Sequence, residues 1–224
     1  MRGKVNMKAG KLMLGLLAIM LLAVFSAQAN VITLTFEGLG DQTPVGNFYN
    51  GGAGPNYGIQ FGPDALSLIS GAAGGTGQFS GAPSMPTILF FLTGPGDIMD
   101  VAAGFDTGFS FYYSAVNQPG VVDVWSGLDA TGTLLASIQL PITPSGGSPE
   151  CTYGAFCPWV PIGVTFAGTA MSVNFSGTAI QIGFDNITLG ADVPTPGVPE
   201  PSTITLLGLG LATGLGGMIR RKRS

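Results

Sequence analysis

Between Val31 and Leu189 the apolar positions recur at a spacing of two, in short runs broken by Gly, Pro, Asn and Asp. That period belongs to strands with one buried face, because successive side chains of a strand point to opposite sides. It predicts strands over 31–37, 57–61, 65–69, 87–92, 105–115, 121–125, 133–140, 160–166, 171–175 and 179–189. Asp129-Ala130-Thr131-Gly132 separates two of these runs and predicts a hairpin turn. Phe109, Phe111 and Tyr113 alternate, which sends them to the core with Phe105 and turns Tyr112 outward. No segment from Asn30 to Pro194 places apolar residues at helical spacing over three turns. The expected fold class is all-β, an antiparallel β-sandwich of jelly-roll type, occupying residues 30–192. Residues 50–55 and 71–81, rich in Gly, Ala and Ser, are expected as rim loops, and 193–197 as a linker.

The two ends follow a different pattern. Lys8 and Lys11 precede an unbroken apolar run from Leu12 to Phe25, and Ala27-Gln28-Ala29 supplies small residues at the positions a signal peptidase reads. Residues 1–29 are therefore expected to be a signal peptide cleaved after Ala29. At the far end the run from Ser202 to Ile219 is eighteen residues long. As a helix it would rise about 27 Å, close to the thickness of a bilayer's hydrocarbon core. Arg220, Arg221, Lys222 and Arg223 follow it, which predicts an inner-membrane span with its cationic end in the cytoplasm and the preceding domain outside.

Charge sharpens this division. The chain of 224 residues carries only 8 Lys+Arg against 12 Asp+Glu, and no His. Every basic residue lies at an end, from Arg2 to Lys11 or from Arg220 to Arg223, while every acid except Glu200 lies between residues 30 and 197. A surface that binds nucleic acid needs cations to displace counterions, and the middle of this chain has none. Ser-His-Asp and Cys-His catalysis, and zinc held by imidazole, are excluded with histidine.

Val198-Pro199-Glu200-Pro201, the Gly- and Leu-rich apolar run behind it and the Arg-rich end resemble, in order and position, the PEP-CTERM sorting signal of Gram-negative bacteria. The resemblance covers residues 198–224. It implies that an exosortase, a membrane-embedded cysteine transpeptidase-like enzyme, recognises the tail and removes it at or near Pro-Glu-Pro. It also implies an inner-membrane-anchored precursor whose product reaches the cell surface or an exopolysaccharide-rich extracellular matrix. The chain physics agrees, since Pro199 and Pro201 bar helix continuation and keep the motif extended. A plain single-span anchor is the alternative.

Within the domain, Cys151 and Cys157 are the only cysteines, and in an exported chain so close a pair is expected to form a small disulfide loop worth about 2 kcal/mol. Carboxylates without cationic partners repel one another, and outside the cell calcium, with six to eight oxygen ligands, relieves this. Thr35-Phe36-Glu37 near the start and Phe184-Asp185-Asn186-Ile187-Thr188-Leu189 at the end resemble the calcium-bearing edges of jelly-roll carbohydrate-binding modules. The resemblance implies a structural calcium at Glu37, Asp185 and Asn186, with Asp41 as a further ligand; solvated surface acids are the alternative. Tyr153 and Trp159, on or beside the disulfide loop, are the candidates for an exposed ligand-binding patch.

Three functional classes follow. The first is a non-catalytic exported protein held in or on the exopolysaccharide matrix, binding neutral or calcium-bridged glycans. The second is an extracellular glycan-cleaving enzyme, which needs two carboxylates across a cleft. The third is a purely structural or adhesive matrix protein, favoured by low charge and high glycine content.

Overall fold

The computed structural model describes residues 31–143, 149–177 and 179–196, and shows twelve strands and one short 3-10 turn. The strands are β1 (Ile32–Leu34), β2 (Thr43–Pro44), β3 (Ile59–Phe61), β4 (Ala65–Ile69), β5 (Thr87–Phe91) and β6 (Gly96–Phe105). They continue with β7 (Gly108–Ala115), β8 (Gly120–Trp125), β9 (Leu134–Leu140), β10 (Val160–Thr165), β11 (Ala170–Ser176) and β12 (Ile182–Leu189). The 3-10 turn is Gly71–Ala73. The expected signal peptide and the expected span from Ser202 to Ile219 lie outside the described residues.

Two sheets face each other. Sheet A runs β10-β7-β12-β5-β4-β2, with β1 beside β12, and sheet B runs β3-β6-β11-β8-β9. All the strand pairs are antiparallel. The inner eight strands, β10-β7-β12-β5 against β9-β8-β11-β6, interleave in jelly-roll order, which leaves first and last strands side by side. The core lies between the sheets, where Phe91, Phe109, Phe111, Phe175 and Phe184 meet edge to face or tilted, with centroids 5.1 to 6.3 Å apart. Among the described residues the buried apolar side chains run from Leu34 to Leu189.

Sheet A is buried on both faces around β5. Leu89 and Phe91 enter the core, while Ile88 and Phe90 face a second apolar cluster with Leu68, Phe79, Ala82 and Trp159. Two segments make that outer layer. Residues 70–86 fold across the sheet, and the loop closed by Cys151–Cys157 docks on them through Ala155 and Phe156 N–H donating to the Gln78 carbonyl at 2.9 and 3.1 Å. The fit is close: a Cβ on Gly154 would lie 2.1 Å from the Gln78 carbonyl carbon. Residues 71–81 are thus a cover and not the rim loop expected of them, because Phe79 and Ala82 supply apolar anchors that glycine content hides. Besides the two-residue β2, the strand that the sequence pattern does not predict is β6. Its Met99 and Val101 enter the core, but two aspartates and Ala-Ala-Gly dilute the alternation.

Truncating Phe175 removes the ring that touches Phe91, Phe109, Phe111 and Phe184. Phe175→Ala should cost about 3–5 kcal/mol, read as a lower denaturant midpoint in equilibrium unfolding.

Candidate functional site at the junction of β1, β5 and β12

β12 reads Ile-Gly-Phe-Asp-Asn-Ile-Thr-Leu and is buried throughout. Its inward residues are Ile182 and Phe184, then Ile187 and Leu189, so the parity shifts by one in the middle. The shift is a bulge: Asp185 pairs with Tyr112 and Thr188 with Ser110, leaving one extra residue on β12. Asn186 takes the left-handed conformation there, φ 47°, which asparagine tolerates better than most residues. Alternation from Phe184 sets Asp185 on the outer side of sheet A, under the covering segment, and the bulge that follows returns Ile187 to the core. On that side β5 flanks the first half of β12 and β1 the second half.

Glu37 follows β1 and reaches the start of β5, where its carboxylate accepts the Thr87 N–H at 3.0 Å and the Thr87 hydroxyl at 3.4 Å. Phe36 before it is also left-handed, φ 62°, with a fully buried ring and an N–H donated to the Tyr49 hydroxyl at 2.8 Å. A phenylalanine in that conformation costs about 1–2 kcal/mol and is held by its packing.

Ser84, from the covering segment, closes the site. Its N–H donates to Asp185 Oδ2 at 2.8 Å. Its Oγ lies 2.8 Å from Asp185 Oδ1 and 2.6 Å from Asn186 Oδ1. The Asn186 N–H adds a bond to Asp185 Oδ1 at 2.7 Å, and its side-chain amide donates to the Thr195 carbonyl at 3.0 Å. That last bond fixes the amide, since a flipped one would set two carbonyl oxygens against each other. A serine hydroxyl has a single proton and cannot donate to both acid and amide oxygen. Three oxygens therefore converge one positive centre short, a deficit that a proton on Asp185 or a bound cation fills. Burial pushes Asp185 up to about 8, against the lowering effect of the Ser84 and Asn186 hydrogen bonds and with Glu37 adding to the rise. Burial also raises Glu37, opposed by the Thr87 bonds.

The structure brings Glu37, Asp185 and Asn186 to one junction. It uses Asp41 elsewhere: one carboxylate oxygen accepts Ile69 N–H at 2.8 Å and the other Thr76 N–H at 3.0 Å, so Asp41 ties down the covering segment. Trp159 is not an exposed platform; it is buried against Phe79, and its indole N–H donates to the Ser80 carbonyl at 3.0 Å. Tyr153 does remain exposed, beside Gly71 and within 3.3 Å of the Gln78 amide. Among the described residues no three His, Cys, Asp or Glu side chains gather as a metal cluster, so the candidate donor set is two carboxylates with neutral oxygens. Ser84 is the member that sequence reasoning missed, because it sits in a Gly-, Ser- and Pro-rich stretch without periodicity.

Comparison with known proteins concerns the tail. The family described as PEP-CTERM protein-sorting motif matches residues 197–223. The chain carries a PEP-CTERM sorting motif. This motif, with Val198, Pro199, Glu200 and Pro201 at its start, marks an exported protein that is held at the membrane before release. No curated protein matches this chain. Among solved structures, the K2 cleaved adhesin domain of Lys-gingipain is similar at 17% identity, over 72% of this chain and 98% of that one, with a TM-score of 0.47. The C-terminal CBM6 of LamC from Zobellia galactanivorans is similar at 15% identity, over 57% of this chain and 99% of that one, with a TM-score of 0.33. A glycoside hydrolase family 43 arabinoxylan arabinofuranohydrolase from Bacillus subtilis is similar at 20% identity, over 56% of this chain and 24% of that one, with a TM-score of 0.37.

The folded state holds the Asp185 proton to about pH 8, while the unfolded chain releases it near pH 4. The resulting stabilisation is complete below about pH 4 and is lost as pH rises to about 8. In chelator the unfolding temperature should therefore fall across this window, with Glu37, Asp97 and Asp100, also raised by burial, adding to the fall at its acid end. Asp185→Asn, which cannot ionise, should flatten the fall, as followed by circular dichroism at stepped pH.

Proposed function

We propose that this is a non-catalytic exported protein, retained at the cell surface or in the exopolysaccharide matrix as a glycan-binding module whose β1–β12 junction holds a structural calcium. The observation that carries the calcium is the convergence of Asp185, Asn186 and Ser84 oxygens one positive centre short, with the Glu37 carboxylate at the same junction. Calcium suits such a set, since it accepts carboxylate, amide and hydroxyl oxygens alike and neutralises two acids that the domain's own side chains cannot. Bound there, it would tie the covering segment to the first and last strands.

A non-catalytic role is favoured by how the acids are spent. Asp41, Asp97, Asp100, Asp185 and Glu37 each accept backbone N–H groups, which makes them anchors of loops and strand starts. A glycan-cleaving pair needs carboxyl groups free to face a substrate across about 5–10 Å. Retention at the surface rests on the sorting motif and on processing by an exosortase, and glycan binding rests on a cation-free sandwich in that setting.

Two outcomes test this. Saturating calcium, at a hundredfold excess over its Kd, should stabilise the sandwich by about 2.7 kcal/mol and raise the unfolding temperature by roughly 5–10 °C relative to chelator. Glu37→Gln and Asp185→Asn should each abolish the difference; an equal melting temperature with and without calcium in the unsubstituted protein rules the metal out. Separately, replacing Pro199, Glu200 and Pro201 by alanine should leave the chain in the membrane fraction, where the unsubstituted protein moves to the cell exterior.

A further inference from the structure

Two tyrosine rings stand open at the surface, Tyr57 at 38% exposure and Tyr153 at 36%. Tyr153 belongs to the covering layer of sheet A: its ring lies against Gly71, where a Cβ would collide with it, and its hydroxyl accepts the Gln78 amide at 3.3 Å. Tyr57 is placed otherwise. It stands near the end of the loop between β2 and β3 and lies nearly parallel to Tyr49, with the ring planes 15° apart and the centroids at 6.1 Å. Tyr49 is only 3% exposed, so a buried ring backs one side of Tyr57 and the side turned away from it is open.

The backing ring is held in place. Tyr49 meets Phe36 and Phe48 edge to face, with centroids at 5.9 and 4.8 Å, and its hydroxyl receives the Phe36 N–H. The loop is tied down along its length as well. Asn50 and Gly52 N–H donate to the Asn47 carbonyl at 2.9 and 3.0 Å, Gly54 N–H to that of Phe48 at 3.2 Å, and Tyr57 N–H to that of Tyr49 at 2.8 Å. A Cβ on Gly54 would collide with the Phe48 ring, so the chain crosses that ring where only glycine fits. A ring presented on so fixed a support needs little ordering when a ligand arrives.

Around it the polar groups are neutral. Residues 42–63 contain no Asp, Glu, Lys or Arg but hold five carboxamides, Gln42, Asn47, Asn50, Asn56 and Gln60. Hydrogen bonds orient two of them: the Asn50 amide donates to Gln60 Oε1 at 3.3 Å, and Asn56 Oδ1 accepts Gly58 N–H at 3.4 Å. This leaves Asn50 its acceptor oxygen and Asn56 its donor hydrogens for a ligand.

We infer that Tyr57, with the Asn50 and Asn56 carboxamides of the same loop, is the platform for an uncharged glycan. This site rests on the glycan-binding reading above and moves it from the disulfide loop to the loop between β2 and β3. A sugar ring offers a face of C–H groups and a rim of hydroxyls that both donate and accept. The open face of Tyr57 suits the first and the carboxamides suit the second. Charge complementarity selects the class. Neither the loop nor the rest of the sandwich supplies a cation, while its acids repel polyuronates and leave neutral polymers unaffected.

The test is affinity electrophoresis of the full chain in a polyethylene-glycol detergent, which has no sugar head group, through gels containing laminarin, dextran or hydroxyethylcellulose. At least one of these neutral polymers should retard the protein. Tyr57→Ala should weaken retardation roughly tenfold, while Tyr57→Phe, which keeps the ring, and Tyr153→Ala leave it unchanged. In the unsubstituted protein the polymer that binds should shield Tyr57, and not Tyr153, from nitration by tetranitromethane as read by peptide mass, so the site is tested even where Tyr57→Ala does not fold. Alginate without calcium, which the basic ends of the chain can bind, should act alike on the unsubstituted protein and on Tyr57→Ala; alginate retardation that depends on Tyr57 overturns the neutral class. Retardation that survives Tyr57→Ala or is lost with Tyr153→Ala, or nitration of Tyr57 that is equal with and without polymer, overturns the Tyr57 platform and leaves glycan binding standing. Retardation by none of the three neutral polymers overturns both.

Discussion

Sheet A is organised by the burial of β12. Its eight residues are all covered, with β7 along one edge and β5 and then β1 along the other; alternation sends Asp185 to the outer side, and the bulge after it keeps Ile187 and Leu189 in the core. Pairings such as Ile32 with Leu189 join the two ends of the domain, so the sheet cannot close until its last strand has arrived. Closure across so long a stretch of chain is entropically slow, and the aromatic cluster around Phe184 and Phe175 rewards it only once β12 is in place.

A second constraint is the absence of cations from the domain. Folded proteins commonly neutralise partly buried acids with Lys or Arg; here backbone N–H groups and hydroxyls do so. Asp97 accepts Ala65 N–H at 2.7 Å and fixes the start of β4, Asp41 holds Ile69 and Thr76, and Glu37 holds the start of β5. Because such partners carry no full charge, burial wins over hydrogen bonding at Glu37, Asp97, Asp100 and Asp185, and all four are raised from their ordinary values. The same composition keeps the outer face of sheet B free of ion pairs.

Strand alternation was legible wherever one face of a strand meets the core and the other is polar, as in β8 and β9. It failed for β6, whose acids Asp97 and Asp100 hold the distant Ala65 and Asp129 N–H groups, and it could not show that β5 is buried on both sides, since a run of five apolar residues fits any buried element. Of the candidate site, Glu37, Asp185 and Asn186 were readable as oxygen donors at the ends of a sandwich that brings first and last strands together. Ser84 was not, because nothing local distinguishes a serine that reaches a carboxylate 101 residues away from its neighbours in the same loop. Trp159 read as exposed for a similar reason: the chain shows a ring beside a disulfide loop, and only the three-dimensional docking of that loop on residues 70–86 reveals that the ring lies beneath.

Thr195, in the stretch expected as a linker, is stitched to the sandwich: its carbonyl receives the Asn186 amide, its N–H reaches the Thr188 hydroxyl at 3.3 Å, and its hydroxyl meets that of Thr33. The folded body thus extends to within two residues of the sorting motif's first matched position. From Pro196 to Pro199 the chain can reach at most about 10 Å. On the sorting reading proposed above, whatever reads Pro-Glu-Pro would meet it within that reach of the β1–β12 edge, so the sandwich limits how bulky a partner can approach the motif from that side.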